Sequence, residues 1–237
     1  MNYASGRSLT YNIVHDLGAS IVSGAYSSDD KFPTEAELCK QFGASRSILR
    51  EAVKMLTAKG LVGARPRLGT WIEPEQNWNF LDPDVLRWLL ERKLDIPLVE
   101  EFTEVRRVFE PLAAALAATR ATDSDLLLIR DALARMQAAE RGEDDPQESD
   151  IAFHVAVLMA SNNRFIQQLR ELIGTALRFS IRLTNRFKGV EFASVEAHEA
   201  VAAAIAARNP AAAEQAMHLI IDEAMQLIRS YKEASSQ

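Results

Sequence analysis

The tightest constraint in this chain is a pair of helix starts set eleven residues apart in "FPTEAELCKQFGASRSILREAVKMLTAKG", Phe32 to Gly60. Thr34, with Glu37 three positions on, forms a capping box that opens a short helix, and Gly43 stops it. Ser45 caps a second helix, in which Ile48, Leu49, Ala52, Val53 and Leu56 recur at helical spacing until Gly60 ends it. Residues 8 to 24 predict a further helix ahead of these two, with Ile13, Leu17, Ile21 and Val22 on one side. Behind them, "LVGARPRLGTWIE" is short, β-leaning and broken by Pro and Gly, as a small hairpin with a basic tip at Arg65 and Arg67 requires. Helix, short helix, three-residue turn, helix and basic hairpin together describe a winged helix-turn-helix.

Charge gives this unit a partner. The chain as a whole carries −6, yet residues 31 to 70 hold eight Lys/Arg against three Glu, a local balance of +5. A basic island on an acidic chain is a footprint for a polyanion. Arg46 and Arg50 stand one turn apart at the front of the second capped helix, beside Ser45 and Ser47. A helix N-terminus in the major groove directs such side chains at base edges and phosphates. By themselves two arginines at this spacing also fit a solvated surface helix; the hairpin and the local charge favour DNA.

The stretch from Phe32 to Ile72 resembles the DNA-binding domain of GntR-family transcription regulators. Its "PTE" helix, its "SRSILR" recognition helix and its Gly-Thr wing follow the family pattern. The resemblance implies DNA contacts for Arg46, Ser47 and Arg50 and for the wing at Gly69 and Thr70, with Ser45, Arg65 and Arg67 alongside. One position departs: many members carry a basic residue directly after the helix-two Glu, where this chain has Ala36, and Arg65 or Arg67 can substitute.

Nearly half of the 237 residues are apolar and only 7% are aromatic. That supply suits two domains with closely packed, alanine-rich helices such as "PLAAALAATRA" and "AVAAAIAARNPAAAEQA". We expect a mainly α protein: a head at 1–75, a docking segment at 76–97 with a helix starting around Pro83, and an antiparallel all-α bundle at 98–237. Bundle helices are predicted near 98–120, 123–140, 147–161, 164–187, 191–207 and 211–232, with breaks at "TRATDSD", "RGEDDPQE", "SNN", "FKGVE" and "RNP". No apolar run is long enough for a membrane span and the N-terminus lacks a signal-peptide core, so a soluble, cytoplasmic chain is expected. The one cysteine, Cys39, excludes an internal disulfide and reads as a small buried hydrophobe.

The bundle holds a second constellation. Asp150 and His154 share a helix face one turn apart, and His198 and His218 fall on two further predicted helices. Alone, a helical His is a packed or surface residue. A carboxylate and three imidazoles on three helices match the donor set of a divalent ion built in a bundle core. The segments "EVRRVFEPLAAALAATRAT", "DIAFHVAVLMASNN" and "VEAHEAVAAAIAARNPAAAEQAMHLI" are similar to landmarks of the FCD-type effector domain in the FadR-like branch of the same family. That resemblance implies a metal site of Asp150, His154, His198 and His218, holding Zn, Ni or Mn beside a small-carboxylate pocket. Four protein ligands would leave an octahedral ion two open positions. Arg106, in the family's Glu-x-Arg segment, is the first pocket arginine, followed by Arg178 with Arg182 a turn beyond. Asn163 matches the family's Asn after the metal helix, where capping the next helix is an equal role.

The expected function is a metabolite-responsive regulator, a repressor bound as a homodimer to an inverted-repeat operator on double-stranded DNA and released by a small carboxylate. "NWNFLDPDVLRWLLE" and "PTEAELC" are similar to regulators of sugar-acid catabolism, which implies an aldonate or related hydroxy acid. The alternatives are an architectural DNA-binding protein with a merely dimerising bundle, and a metal-dependent hydrolase. The second is disfavoured because four ligands crowd the ion, no separate base or nucleophile is evident, and the basic head would go unexplained. We therefore expect no enzyme.

Overall fold

In the computed structural model the described residues are 8–26, 32–65, 67–92, 96–188 and 193–235; of these, side chains at 92, 182–188 and 235 are not described. The chain divides into two compact units, Met1–Leu94 and Asp95–Gln237. Among the described residues no helix is long and apolar enough to cross a membrane.

The first unit is a winged helix-turn-helix. Helix α1 spans Leu9–Val22, α2 Glu35–Phe42 and α3 Arg46–Ala58. Both halves of the capping box form, with Thr34 Oγ1 accepting from the Glu37 amide and Glu37 accepting from the Thr34 amide. Gly43 follows α2 at φ 60°, the left-handed cap that glycine takes without a Cβ penalty. Ser45 Oγ caps α3 through the Ile48 amide at 3.4 Å. Leu49, Ala52 and Leu56 are buried against α1's Ile13, Leu17 and Ile21, which leaves the charged flank of α3 in solvent. Gly60, at φ +76°, ends the helix beneath the Asn77 carbonyl, where a Cβ would sit 2.3 Å from that oxygen.

Strands β1 (Val62–Arg65) and β2 (Gly69–Ile72) pair antiparallel, with Arg65 opposite Gly69. The return is fastened to the end of α3: the Glu73 amide donates to the Leu61 carbonyl and the Asn79 amide to the Lys59 carbonyl, each at 3.0 Å. A 3-10 turn at Glu75–Asn77 follows, and then helix α4, Pro83–Arg92, capped by Asp82 Oδ1. This helix packs on α1 within the first unit. Trp88 is buried and lies so close to Gly18 that a Cβ there would meet its ring at 2.3 Å. Lys59, just past α3, is held by Asp82 at 2.8 Å and Asp84 at 2.9 Å.

The second unit is a helical bundle: α5 Ile96–Arg120, α6 Asp123–Glu140, α7 Pro146–Ala160, α8 Arg164–Gln168, α9 Arg170–Lys188, α10 Val195–Ala206 and α11 Pro210–Ser235. Its core sets Phe153 and Met217 among the small side chains Ala114, Ala117, Ala118, Ala132, Ala160 and Ala213, which lets the helices approach closely. Two expectations change here. The helix predicted over 164–187 is two helices, because the chain tightens at Leu169, whose amide bonds back only three residues to the Ile166 carbonyl. Cys39 is half-exposed on α2, with Leu38 alone filling the buried position of that short helix.

Candidate functional site

Each unit presents one candidate site. In the head, Arg46, Ser47 and Arg50 project from the first two turns of α3 into solvent, the arginine side chains 75% and 66% exposed. Both guanidiniums turn to one carboxylate, Glu35, at the start of α2. Arg50 Nε donates to it at 2.9 Å and Arg46 Nε stands 3.8 Å away. Glu35 is thereby held below the usual carboxylate range, first by the Arg50 hydrogen bond, and Arg50 is raised by the same bond. Ser45 is committed to capping and also bonds Ser47 Oγ at 2.9 Å. On the wing, Arg65 and Arg67 are exposed and Gly69 and Thr70 follow at the tip and its return strand. The Arg65 guanidinium lies 5.8 Å over the Trp71 ring, a cation–π contact that directs it along the hairpin.

In the bundle, three side chains converge on one point. Asp150 and His154 come from the same face of α7, and His198 from α10. Asp150 Oδ1 is 3.3 Å from His154 Nε2 and 3.2 Å from His198 Nε2, and the two ring nitrogens are 3.4 Å apart. All three residues are buried. Points about 3.3 Å apart in a triangle share a centre about 1.9 Å from each, close to the donor distances of about 2.0–2.2 Å that a divalent ion would require of these residues. Asp150 Oδ1 has no directed hydrogen bond, although it is fully enclosed. A buried acceptor left open in this way fits a cation better than it fits a protein interior.

The outer nitrogens of both rings are occupied. His198 Nδ1 is 2.7 Å from the Ser194 carbonyl and His154 Nδ1 is 2.5 Å from Glu110 Oε2, contacts that would leave both Nε2 atoms to an ion at the shared centre. The His154–Glu110 contact is short but not straight, so charge attraction more than direction holds it. Phe153 sits edge-on to the His198 ring at 5.0 Å and fixes its plane. Without an ion, burial pulls the His154 imidazole down, but Glu110 and then Asp150 outweigh it and push it up to about 9. Burial raises the Glu110 carboxyl, yet Arg106 and His154 hold it at about 2. Burial likewise opposes the Asp150 charge, and the adjoining His154 and His198 rings keep it well below the usual range.

His218 is not in this group, and the expected four protein donors become three. A cavity beside the triangle is lined on α11 by Ile220, Glu223, Ala224 and Leu227, a single helix face. His218 precedes Ile220 by two residues, about 200° of helical rotation, and so lies on the far side of α11. Arg106 does line the cavity, as do Ser180 of α9 and Ser194. It is buried and its Nε donates to Glu110 at 2.5 Å, one turn along α5. Arg178 points elsewhere: it is exposed, pairs with Glu148 and is absent from the cavity wall. Arg182 has its side chain outside the described residues. Asn163 caps α8 through the Phe165 amide at 3.0 Å and takes no part in the cavity. Glu110 and Glu223 were not anticipated. Glu110 did leave a trace, a charge on the buried stripe of α5 shared with Thr103, Arg106 and Ala113.

A winged helix-turn-helix joined to a helical bundle with a buried carboxylate–imidazole triangle defines a class, the DNA-binding regulators that carry their own sensing domain. The profile of bacterial regulatory proteins of the gntR family matches residues 9–72, and that of the FCD domain matches residues 101–223. The chain belongs to the GntR family, in its FadR-like branch with an FCD domain; it is a DNA-binding transcription regulator and not an enzyme. A galactonate operon transcriptional repressor of Escherichia coli is 40% identical over 210 residues, covering 87% of this chain and 91% of the relative. The regulator LutR of Bacillus subtilis is 32% identical, covering 92% and 100%. In fold, the chain is similar to the Listeria monocytogenes regulator Lar, with a TM-score of 0.62 at 18% identity over 96% of this chain and 99% of that one.

Proposed function

We propose that this chain represses a sugar-acid catabolic operon and releases it when an aldonate or similar hydroxycarboxylate enters the bundle cavity. The observation that carries the reading is the triangle of Asp150, His154 and His198 opening onto a cavity that also holds Arg106. These three residues would hold a divalent ion, Zn, Ni or Mn. Such an ion would supply a positive centre able to accept a carboxylate and its neighbouring hydroxyls. The chain's own residues do the rest. Glu110 and the Ser194 carbonyl orient the imidazoles, Arg106 faces the cavity as its one buried guanidinium among the described residues, and Ser180 and Ser194 offer hydroxyls to a polyol. The acidic Glu223 at the wall favours hydroxyl donors over a second carboxylate. The likeness to a galactonate operon repressor supports an aldonate over other small acids.

The proposed DNA contacts are Arg46, Ser47 and Arg50 in the major groove, with Arg65, Arg67, Gly69 and Thr70 on the wing and Ser45 as the cap that aims them. Residues 1–75 form the proposed head, 76–97 the docking segment and 98–237 the sensing and dimerising domain of a homodimer. Release requires the acid to bind one arrangement of the heads better than the other. The test is a thermal-shift series of hydroxy acids with and without chelator. Galactonate is expected to raise Tm only in metal-loaded protein, and to leave Asp150→Ala and His198→Ala unchanged. Stabilisation that survives chelation contradicts the metal-assisted cavity. Release of operator DNA that is indifferent to every acid favours the architectural alternative.

A further inference from the structure

The wing tip carries a feature that a purely electrostatic DNA contact does not need. Leu68 is 74% exposed, the most exposed large apolar side chain of the head among the described residues. It sits beyond the last strand pair, Arg65 with Gly69, and its amide closes the turn onto the Arg65 carbonyl at 3.2 Å. Arg67 before it holds φ at 68°, a left-handed conformation that costs a side-chain-bearing residue energy. Arg65 and Arg67 precede the leucine on the same hairpin, Arg65 over the Trp71 ring, and neither has an ion-pair partner among the described residues, whereas Arg46 and Arg50 both meet Glu35. An apolar tip next to guanidiniums that have no carboxylate to neutralise them is complementary to a polyanion that also offers an apolar interior.

We propose that Leu68 enters the minor groove of the operator as a wedge against a base step, with Arg65 and Arg67 at the groove edges. The backbone bonds from Glu73 and Asn79 tie the hairpin to the end of α3, so the tip travels with the recognition helix. When that helix lies in the major groove, an element leaving its end meets the flanking minor groove. That groove is narrow and its negative potential draws arginine, and an inserted leucine unstacks and bends the duplex there. Flexible pyrimidine–purine steps accept such a wedge at least cost, so the wing selects sequence through deformability. The inference rests on the head being the DNA-contacting face.

The test uses the full chain and a duplex that it enriches from a randomised library. 2-Aminopurine is placed at successive steps flanking the major-groove site, and a fluorophore at each end reports bending. Wild type is expected to brighten 2-aminopurine at one step and to shorten the end-to-end distance. Leu68→Gln loses both signals and binds about tenfold more weakly, with an unchanged slope of affinity against salt, while Leu68→Met restores them. Arg67→Ala keeps the 2-aminopurine signal and lowers the salt slope by about one. Wild-type affinity and bending in Leu68→Gln overturn the wedge, as does a wild-type complex with no brightened step. A Leu68→Gln variant that alters self-association while binding DNA normally assigns the leucine to a protein contact instead. Arg50→Ala is the control: full operator affinity in that variant would overturn the reading of the head itself.

Discussion

The two candidate sites handle charge in opposite ways. In the head, Arg46 and Arg50 stand in water and share one half-exposed carboxylate, Glu35, so each remains available to an incoming phosphate or base. In the bundle, Arg106, Glu110, His154 and Asp150 are enclosed, and each charge is answered by a named neighbour. Exposed pairs contribute little to stability, because water screens them and long side chains lose freedom in holding them. Buried charges cost much to leave unpaired. One site is thus tuned for exchange with a polyanion and the other for a fixed geometry around a small cation.

The largest expected effect tests the buried half. Glu110→Ala strands the Arg106 and His154 charges in the core and should destabilise the chain by about 3–5 kcal/mol, seen as a lowered urea midpoint. If Glu110→Ala unfolds with the wild type, the enclosed network is not a structural unit.

A pH series sharpens the same point. His154 has its folded-state pKa raised to about 9, so its contribution is complete below its unfolded value near 6.5 and is lost as pH rises through 9. Glu110, depressed to about 2, contributes above its unfolded value of about 4.5 and loses that contribution only as pH falls through 2. Chelated protein should therefore lose several degrees of Tm between pH 6.5 and 9. Metal-loaded protein should not, because Nε2 then carries an ion in place of a proton. Parallel Tm curves for the two forms would argue against a shared centre at His154.

In the head the expected changes fall on DNA binding and not on folding. Arg46→Ala or Arg50→Ala should weaken operator binding roughly 5- to 150-fold, measured by fluorescence anisotropy, with no change in Tm. Smallest of all is Glu35→Gln. Its Tm should match wild type, while the freed arginines bind random duplex more tightly and narrow the gap between operator and non-operator DNA. Cooperative loss of folding in either arginine variant would erase the contrast between the two sites.

Local signals made the head legible. Thr34 with Glu37, Ser45, Gly43 and Gly60 are start and stop chemistry that acts within one turn, and each functions as its spacing requires. The Asp150–His154 pair was legible for the same reason, since both residues ride one helix. What the sequence withheld depends on how one helix is phased against another. His218 and Ile220 are two residues apart, and only the packed orientation of α11 decides which faces the cavity. Glu110 reaches His154 across 44 residues of chain, and Gly18 makes room for Trp88 across 70, contacts with no periodic signature. The break at Leu169 lies in a stretch of good helix formers without Gly or Pro, and tertiary packing overrides propensity there.

The most direct test of the account is metal stoichiometry in chelator-stripped protein, read by competition with a chromophoric chelator for wild type, His198→Ala and His218→Ala. A centre built by Asp150, His154 and His198 predicts one tightly held ion per chain in wild type and in His218→Ala, and none in His198→Ala. An ion lost from His218→Ala, or retained undiminished by His198→Ala, would contradict it.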